Sequence, residues 1–405
     1  MDTSIKNTGR QLINKVPQVT LFFWVIKVLC TTVGETVADF LNVNLNFGLT
    51  GTSVVMGVLL IVALFFQFRA KKYVPAIYWI TVVFISVFGT LVTDNLTDKM
   101  NVPLETSTIV FSILLLLTFA AWYAKEKTLS IHSIFTKRRE VFYWLAVLFT
   151  FALGTAAGDL MAESLGLGYL VTGIIVAGVI AVAAVARLLK LNSVLSFWII
   201  YIMTRPLGAS IGDLLSQPAK FGGLGLGATA TSAIFLAGIL AIILYFTFSK
   251  RDVILDDVVE EKNDKEEKGL ILQTVITIVL FIVIGTGAYT WRHNALQKEI
   301  KQPVSNVAAD KKTSLSPLGD LSVFTAITED TRQLVIANNL PGAKTRIADL
   351  EYEWDNAQSR LKSMNAAKWT EIDDAVDKVL RQLRAVTPNQ QQSKASLDAL
   401  MQVLK

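Results

Sequence analysis

Residues 143–159 read YWLAVLFTFALGTAAGD, an apolar run that opens on an aromatic pair, passes Gly154 and closes on Asp159. About 20 mostly apolar residues cross a bilayer as a helix, so this run and its flanks predict a span over 141–165. The pattern returns three times at identical spacing: Phe23-Trp24, Gly34 and Asp39; Tyr78-Trp79, Gly89 and Asp94; Phe197-Trp198, Gly208 and Asp213. A large apolar residue stands two positions past each acid, at Leu41, Leu96, Met161 and Leu215. Self-similarity at a fixed register is the signature of a repeat architecture. Each unit adds a short turn and a returning apolar helix that opens with small or hydroxylated residues, among them Thr52, Ser107, Thr172 and Thr231. The expected fold is an all-α membrane protein: four parallel-related helical-hairpin repeats (eight spans), a ninth span and a small soluble helical bundle.

Working outward, further apolar stretches lie at 19–42, 48–68, 74–96, 106–123, 169–189, 194–215, 228–248 and 270–291. With 52% hydrophobic and 18% charged residues over 405 positions, the chain is too apolar for a soluble protein. The first apolar run is too long for a signal-peptide core and reads as a retained span. Basic residues gather in alternate loops, at Arg69, Lys71 and Lys72, at Lys137 to Arg139, at Arg187 and Lys190, and at Lys250 and Arg251. The positive-inside rule makes those loops and the amino terminus cytoplasmic and, with an odd span count, the carboxy-terminal domain periplasmic. Topology thus accounts for the net charge of +5, and no nucleic-acid partner is expected. The lone Cys30, inside an apolar run, supplies neither a disulfide framework nor a thiolate metal cluster. The predicted organisation is a four-repeat transmembrane domain over 1–249, a charged cytoplasmic linker over 250–268, a ninth transmembrane helix over 269–292 and a soluble helical domain over 293–405.

Each repeated position has a physical reading. The aromatic pair falls where a span enters from the cytoplasmic side, the headgroup depth that Trp and Tyr favour. At about 1.5 Å per residue the glycine lies roughly 15 Å further, near the midplane, and the aspartate roughly 22 Å along, in the outer third. Gly34, Gly89, Gly154 and Gly208 read as close-packing positions, because membrane helices associate through packing rather than water exclusion. Small residues follow four positions on in three units, at Ala38, Gly158 and Gly212.

An ionisable group within the hydrocarbon costs about 2.5 kcal/mol or more and normally faces a protein interior or a wet cavity. Asp39, Asp94, Asp159 and Asp213 repeat that cost at a common depth, and clustered carboxylates bind cations, protonate, or both. The alternative is that each acid ties down its own turn by accepting hydrogen bonds from the hydroxylated start of the next helix. Glu35, present in the first unit alone, adds an acid near mid-membrane. Two cations break the symmetry and are candidates for charge balance. Lys27 is near enough to the boundary to snorkel as an interface anchor. Arg205 is deeper and precedes Pro206, which breaks the backbone ladder; it reads as an internal counter-ion or as a partner of carbonyls freed at a kink. Carboxylates with hydroxyls and carbonyls suit hard cations such as Mg²⁺, Mn²⁺ or Na⁺, and the spans contain no His for a soft metal. The four aspartates are therefore candidate ligands for a hard metal ion.

Beyond the ninth span, Ile347, Leu350, Trp354, Leu361 and then Trp369, Ile372, Val376, Val379, Leu383 recur at helical spacing. They predict a small antiparallel bundle able to bind a protein partner, dimerise, or cap the outer mouth. The mixed-charge run 251–268 reads as a solvated linker.

The four-fold register, the opening Lys15-Val16-Pro17-Gln18-Val19-Thr20 and the run Gly34-Glu35-Thr36-Val37-Ala38-Asp39 resemble a bacterial family of multi-spanning membrane-anchored proteins defined by a repeat of unknown function. The resemblance covers roughly the first 250 residues and implies a bacterial inner membrane. The leading functional expectation is a cation transporter for a hard divalent ion of Mn²⁺ or Mg²⁺ type, proton-coupled, or both. The competing ones are a transporter of a small organic cation or metabolite, and a membrane-anchored scaffold or sensor acting through its tail. No P-loop, zinc-protease helix or nucleophile elbow occurs, so neither an enzyme nor a cofactor is expected.

Overall fold

The computed structural model describes residues 14–44, 47–100, 102–216, 224–250, 252, 269–301, 316–385 and 387–405. Among them, nine helices are long and apolar enough to cross a membrane. Eight make four hairpins: α1 (Leu21–Asp39) with α2 (Gly48–Arg69), α3 (Pro75–Asp94) with α4 (Leu104–Glu126), α5 (Lys137–Asp159) with α6 (Gly168–Leu188), and α7 (Ser193–Ser216) with α8 (Gly227–Ser249). Local chemistry sets the starts. The Thr20 hydroxyl accepts from the Phe23 amide at 3.3 Å, the Thr136 hydroxyl accepts from the Arg139 amide, and Pro75 occupies the first turn of α3. Gly48, Gly168 and Gly227 open three of the returning helices from the left-handed region, which a side chain would strain.

In the first three hairpins the two helices hardly touch each other, whereas α7 also packs on α8. Inner helices α1, α3, α5 and α7 pack in sequence and close with α7 against α1, while α2, α4, α6 and α8 lean on α3, α5, α7 and α1, the inner helix of the next unit. The glycine of each unit seats on the residue three before the next unit's glycine. A Cβ on Gly34 would strike Ser86, on Gly89 the Cβ of Phe151 at 2.7 Å, on Gly154 the Cβ of Arg205 at 2.6 Å, and on Gly208 the side chain of Thr31. The chain thereby forms a ring with approximate four-fold symmetry. Outward, α2, α4, α6 and α8 expose side chains such as Val54, Ile61, Ile113, Ile174 and Leu240, the surface that lipid covers.

The aromatic pairs lie elsewhere than expected. Phe23, Tyr78, Trp79, Tyr143, Trp144, Phe197 and Trp198 are buried, with Trp24 half-buried. The first ring of each pair meets the next unit's Trp: Phe23 with Trp79 at 5.5 Å between centroids, Tyr78 with Trp144 at 5.4 Å, Tyr143 with Trp198 at 6.3 Å and Phe197 with Trp24 at 5.5 Å. These rings fill the centre of the bundle at the end carrying the basic loops. Headgroup placement is thereby corrected: between four converging helices the same rings gain aromatic contacts that an interface does not offer. Pro206 likewise does not break α7, which continues to Ser216. Its ring lies where a Cβ on Gly154 or Gly158 would come within 3.2 Å, so these glycines leave the space it occupies.

The ninth span, α9 (Leu270–Lys301), runs past its predicted end at 292. Four further helices, α10 (Ser322–Ile336), α11 (Leu340–Met364), α12 (Ala366–Arg384) and α13 (Gln390–Val403), pack pairwise into a closed bundle around Trp354, Trp369, Ile347 and Leu397. The Asn339, Asn365 and Asn389 side chains cap three of them. The charged linker 250–268 falls outside the described residues apart from Lys250 and Asp252.

Candidate functional site

The inner helices deliver the four aspartates to the end opposite the basic loops. Immediately after Asp39, Asp94 and Asp159 the backbone changes to π-helical geometry over Phe40–Asn44, Asn95–Lys99 and Leu160–Ser164. Such turns are rare and concentrate at functional sites. Sequence pattern gave no signal for them. In α7 the helix passes Asp213 as ordinary α-helix.

Arg205 and Glu35 are electrostatic neighbours of all four aspartates; Asp39 is one for Asp94 and Asp213, and Asp94 for Asp159. The acids of the four units thus meet in one region. Asp39 is solvent-exposed and the other three are half-buried, and the region they share is termed the vestibule. Among the described residues, none of the four carboxylates accepts a hydrogen bond from the hydroxyls that open the returning helices. Instead Thr52, Ser107, Thr172 and Thr231, one from each unit, are buried with unpaired hydroxyls at the same end. Among the described residues no three Asp, Glu, His or Cys side chains are drawn together as a metal-ligating set.

Below the acids sits an ion pair. Arg205, 1% exposed, donates from Nη2 to Glu35 Oε2 at 2.5 Å and to Thr90 Oγ1 at 2.6 Å, while among the described residues its Nε and Nη1 have no hydrogen-bond partner. Glu35 and Thr90 follow the glycines of the first and second units, so Arg205, from the fourth unit, links two equivalent positions. Arg205 thus pairs with an acid inside the bundle, and among the described residues it makes no hydrogen bond to a backbone carbonyl. Lys27 corrects the snorkelling expectation. It is 1% exposed, with Nζ 3.9 Å from the Phe151 ring centroid and 4.3 Å from that of Tyr201. Two aromatic faces from α5 and α7 hold the ammonium in the bundle, an arrangement that strengthens when water is excluded.

Over the vestibule lies the tail bundle. α11 packs against the turn Leu160–Ser164 and α12 against Phe40–Asn44. Gln358 Nε2 donates to Glu163 Oε2 at 2.8 Å. Lys362 is an electrostatic neighbour of Asp98 and Glu163, and Arg384 of Asp39. The tail brings its own acids. Burial raises Asp373 above the ordinary carboxylate range and holds Asp377 up to about 6 against the opposing charge of Arg381, while Asp355 is exposed. With a folded pKa above the unfolded one near 3.8, protonation of Asp377 favours the folded, docked tail. That contribution is present at low pH and is lost as pH rises through about 6. Limited proteolysis of the tail in the full chain is therefore expected to be slower near pH 5 than above pH 7; equal rates would contradict this.

Fold and site together define a class: an all-helical membrane protein whose four hairpin units close into a ring that carries one aspartate of each unit at the same end. A family model described as Repeat of Unknown Function (DUF347) matches residues 22–73, 77–128, 142–190 and 196–252, each segment holding one inner and one returning helix. The matches cover more than half of the chain, which belongs to this repeat family. No curated protein and no solved structure matches it.

Proposed function

We propose that the chain is a cation transporter of a bacterial inner membrane, with the basic loops and amino terminus in the cytoplasm and α10–α13 in the periplasm. The observation that carries this reading is the sharing of Glu35 and Arg205 as charged neighbours by four repeat-equivalent aspartates. Asp39, Asp94, Asp159, Asp213 and Glu35 outnumber the Arg205 guanidinium among them and the Arg384 guanidinium beside Asp39, and such a set in a low dielectric draws in cations, protons or both. Oxygen donors favour a hard ion of Mn²⁺ or Mg²⁺ type. Carboxylates spaced around a cavity suit an ion that keeps part of its water shell, as Mg²⁺ commonly does. Arg205 would balance the acids when the cation is absent, and the packed aromatic ring would close the cytoplasmic side while the acids face the other. That is one half of the cycle in which repeats rock about a fixed site.

The aromatic rings pack on one another instead of lining the vestibule, which favours an inorganic ion over an organic cation. The tail above the vestibule suits a gate more than an independent scaffold. The test is Mn²⁺ binding to the detergent-solubilised full chain by equilibrium dialysis. Asp94→Asn/Asp159→Asn is expected to weaken binding by roughly tenfold or more, about 1.4 kcal/mol. Equal affinities would reject the carboxylate site.

A further inference from the structure

We infer that a cavity at the end carrying the basic loops is a binding site for a phosphate group, held by Arg187 and Ser193 with His132 beside them. The site stands independently of the transport reading above.

The cavity measures about 110 Å³, room for several water-sized groups. Gln18, Ser130, His132, Arg187, Ser193 and Phe197 belong to its wall, and among the described residues no Asp or Glu joins them. Ser193 opens α7, and the amino-terminal end of a helix favours negative charge. The Ser193 Oγ is shielded from solvent and has no hydrogen-bond partner among the described residues, so a polar group is owed to it. Phe197 also meets Trp24 in the packed aromatic rings, so the cavity rests directly on the closed end of the bundle.

The repeat supplies an internal comparison. The residue 43 positions past the Trp of each unit is Gln67, Trp122 and Arg187 in the first three units; in the fourth, whose turn is five residues longer, Phe246 holds the place. Gln67, Trp122 and Phe246 are buried at 1%, 0% and 2% exposure, whereas Arg187 is exposed and borders the cavity. Gln67 is buried against an anion of the chain itself: its Nε2 donates to Glu140 Oε1 at 3.0 Å, and Lys15 Nζ lies 2.6 Å from Glu140 Oε2. Glu140 stands four residues before Trp144, two units round the ring from Gln67. Two units round from Arg187 is the first unit, and four residues before Trp24 it has Thr20 in place of the acid. Gln18 and Val19, which lead into Thr20, line the cavity. Where Gln67 meets a carboxylate, Arg187, the better anion donor, meets none, and an anion from outside completes the place.

Phosphate suits these donors. A guanidinium presents two parallel N–H groups to a pair of phosphate oxygens, and the remaining oxygens face the hydroxyl and the helix end. Basic pockets between spanning helices take phospholipid head groups; inorganic phosphate or a soluble phosphate ester presents the same group.

The test uses the detergent-solubilised full chain in two arms: equilibrium dialysis against radiolabelled inorganic phosphate, and native mass spectrometry of retained phospholipid. The wild type is expected to bind phosphate saturably or to carry one phospholipid. Arg187→Gln, which gives the third unit the side chain of the first at an exposed position, is expected to weaken phosphate binding roughly tenfold or more, or to lose the lipid. Thr20→Glu, which copies Glu140, is expected to exclude either ligand. Lipid carried by the wild type and lost by Arg187→Gln makes a membrane headgroup the source; phosphate bound with no lipid retained makes it a soluble one. A wild type that takes neither, or equal occupancy in wild type and Arg187→Gln, would overturn the site. Mn²⁺ binding is expected to be the same in wild type and Arg187→Gln.

Discussion

Gly208→Leu is expected to yield no folded ring, and Gly208→Ala to lower the unfolding midpoint by several degrees. A Cβ at this position meets not only the Thr31 side chain but the Thr32 backbone nitrogen at 2.9 Å, and backbone in the middle of α1 cannot yield without separating α1 from α7. Overpacking of this kind costs about 1–3 kcal/mol for a single methyl group, and a leucine adds atoms with nowhere to go. The contact closes the four-fold ring, so its loss opens the vestibule instead of loosening one helix. Gly178 in α6 has nothing within 4 Å of a built Cβ, and Gly178→Ala is the matched control expected to leave the midpoint unchanged or slightly raised. Thermal unfolding in detergent, followed by loss of the monodisperse chromatographic peak, reads both. A Gly208→Ala protein as stable as Gly178→Ala would contradict the cyclic packing.

Arg205→Met is expected to destabilise the membrane domain by about 3 kcal/mol, because removing one partner of a buried pair leaves the other charge uncompensated. Glu35 loses the guanidinium at 2.5 Å and has four like-charged aspartates as electrostatic neighbours. The same principle predicts the remedy. Glu35→Gln/Arg205→Met removes the charge together with its partner and should recover most of the loss. The same thermal assay distinguishes this from a packing defect, since a role for Arg205 in filling space alone would leave the double variant as unstable as the single.

The repeat, the nine spans and the common depth of the four acids were legible because spacing and hydropathy are local properties of the chain. Cyclic closure was not, because hydropathy cannot tell a helix face covered by lipid from one covered by another apolar helix. The aromatic pairs illustrate the ambiguity: rings at one end of a span suit a headgroup region or a converging helix bundle, and only contacts such as Phe197 with Trp24 decide between them. Lys27 misled for the same reason, since the rings that hold it, Phe151 and Tyr201, come from helices remote in sequence. Pro206 kept its helix intact through space left by Gly154 and Gly158 in another repeat, which no local rule contains. The π-turns after three of the aspartates, the Arg205–Glu35 pairing and the tail over the acids are likewise products of tertiary packing.

Cation flux into proteoliposomes tests the central claim most directly, with wild type compared against Asp39→Asn, Asp94→Asn, Asp159→Asn and Asp213→Asn introduced together. The account predicts Mn²⁺ or Mg²⁺ uptake by the wild type and none above the protein-free background by the quadruple variant, with the variant still folded by its chromatographic profile. Uptake at the wild-type rate in the folded variant would contradict it.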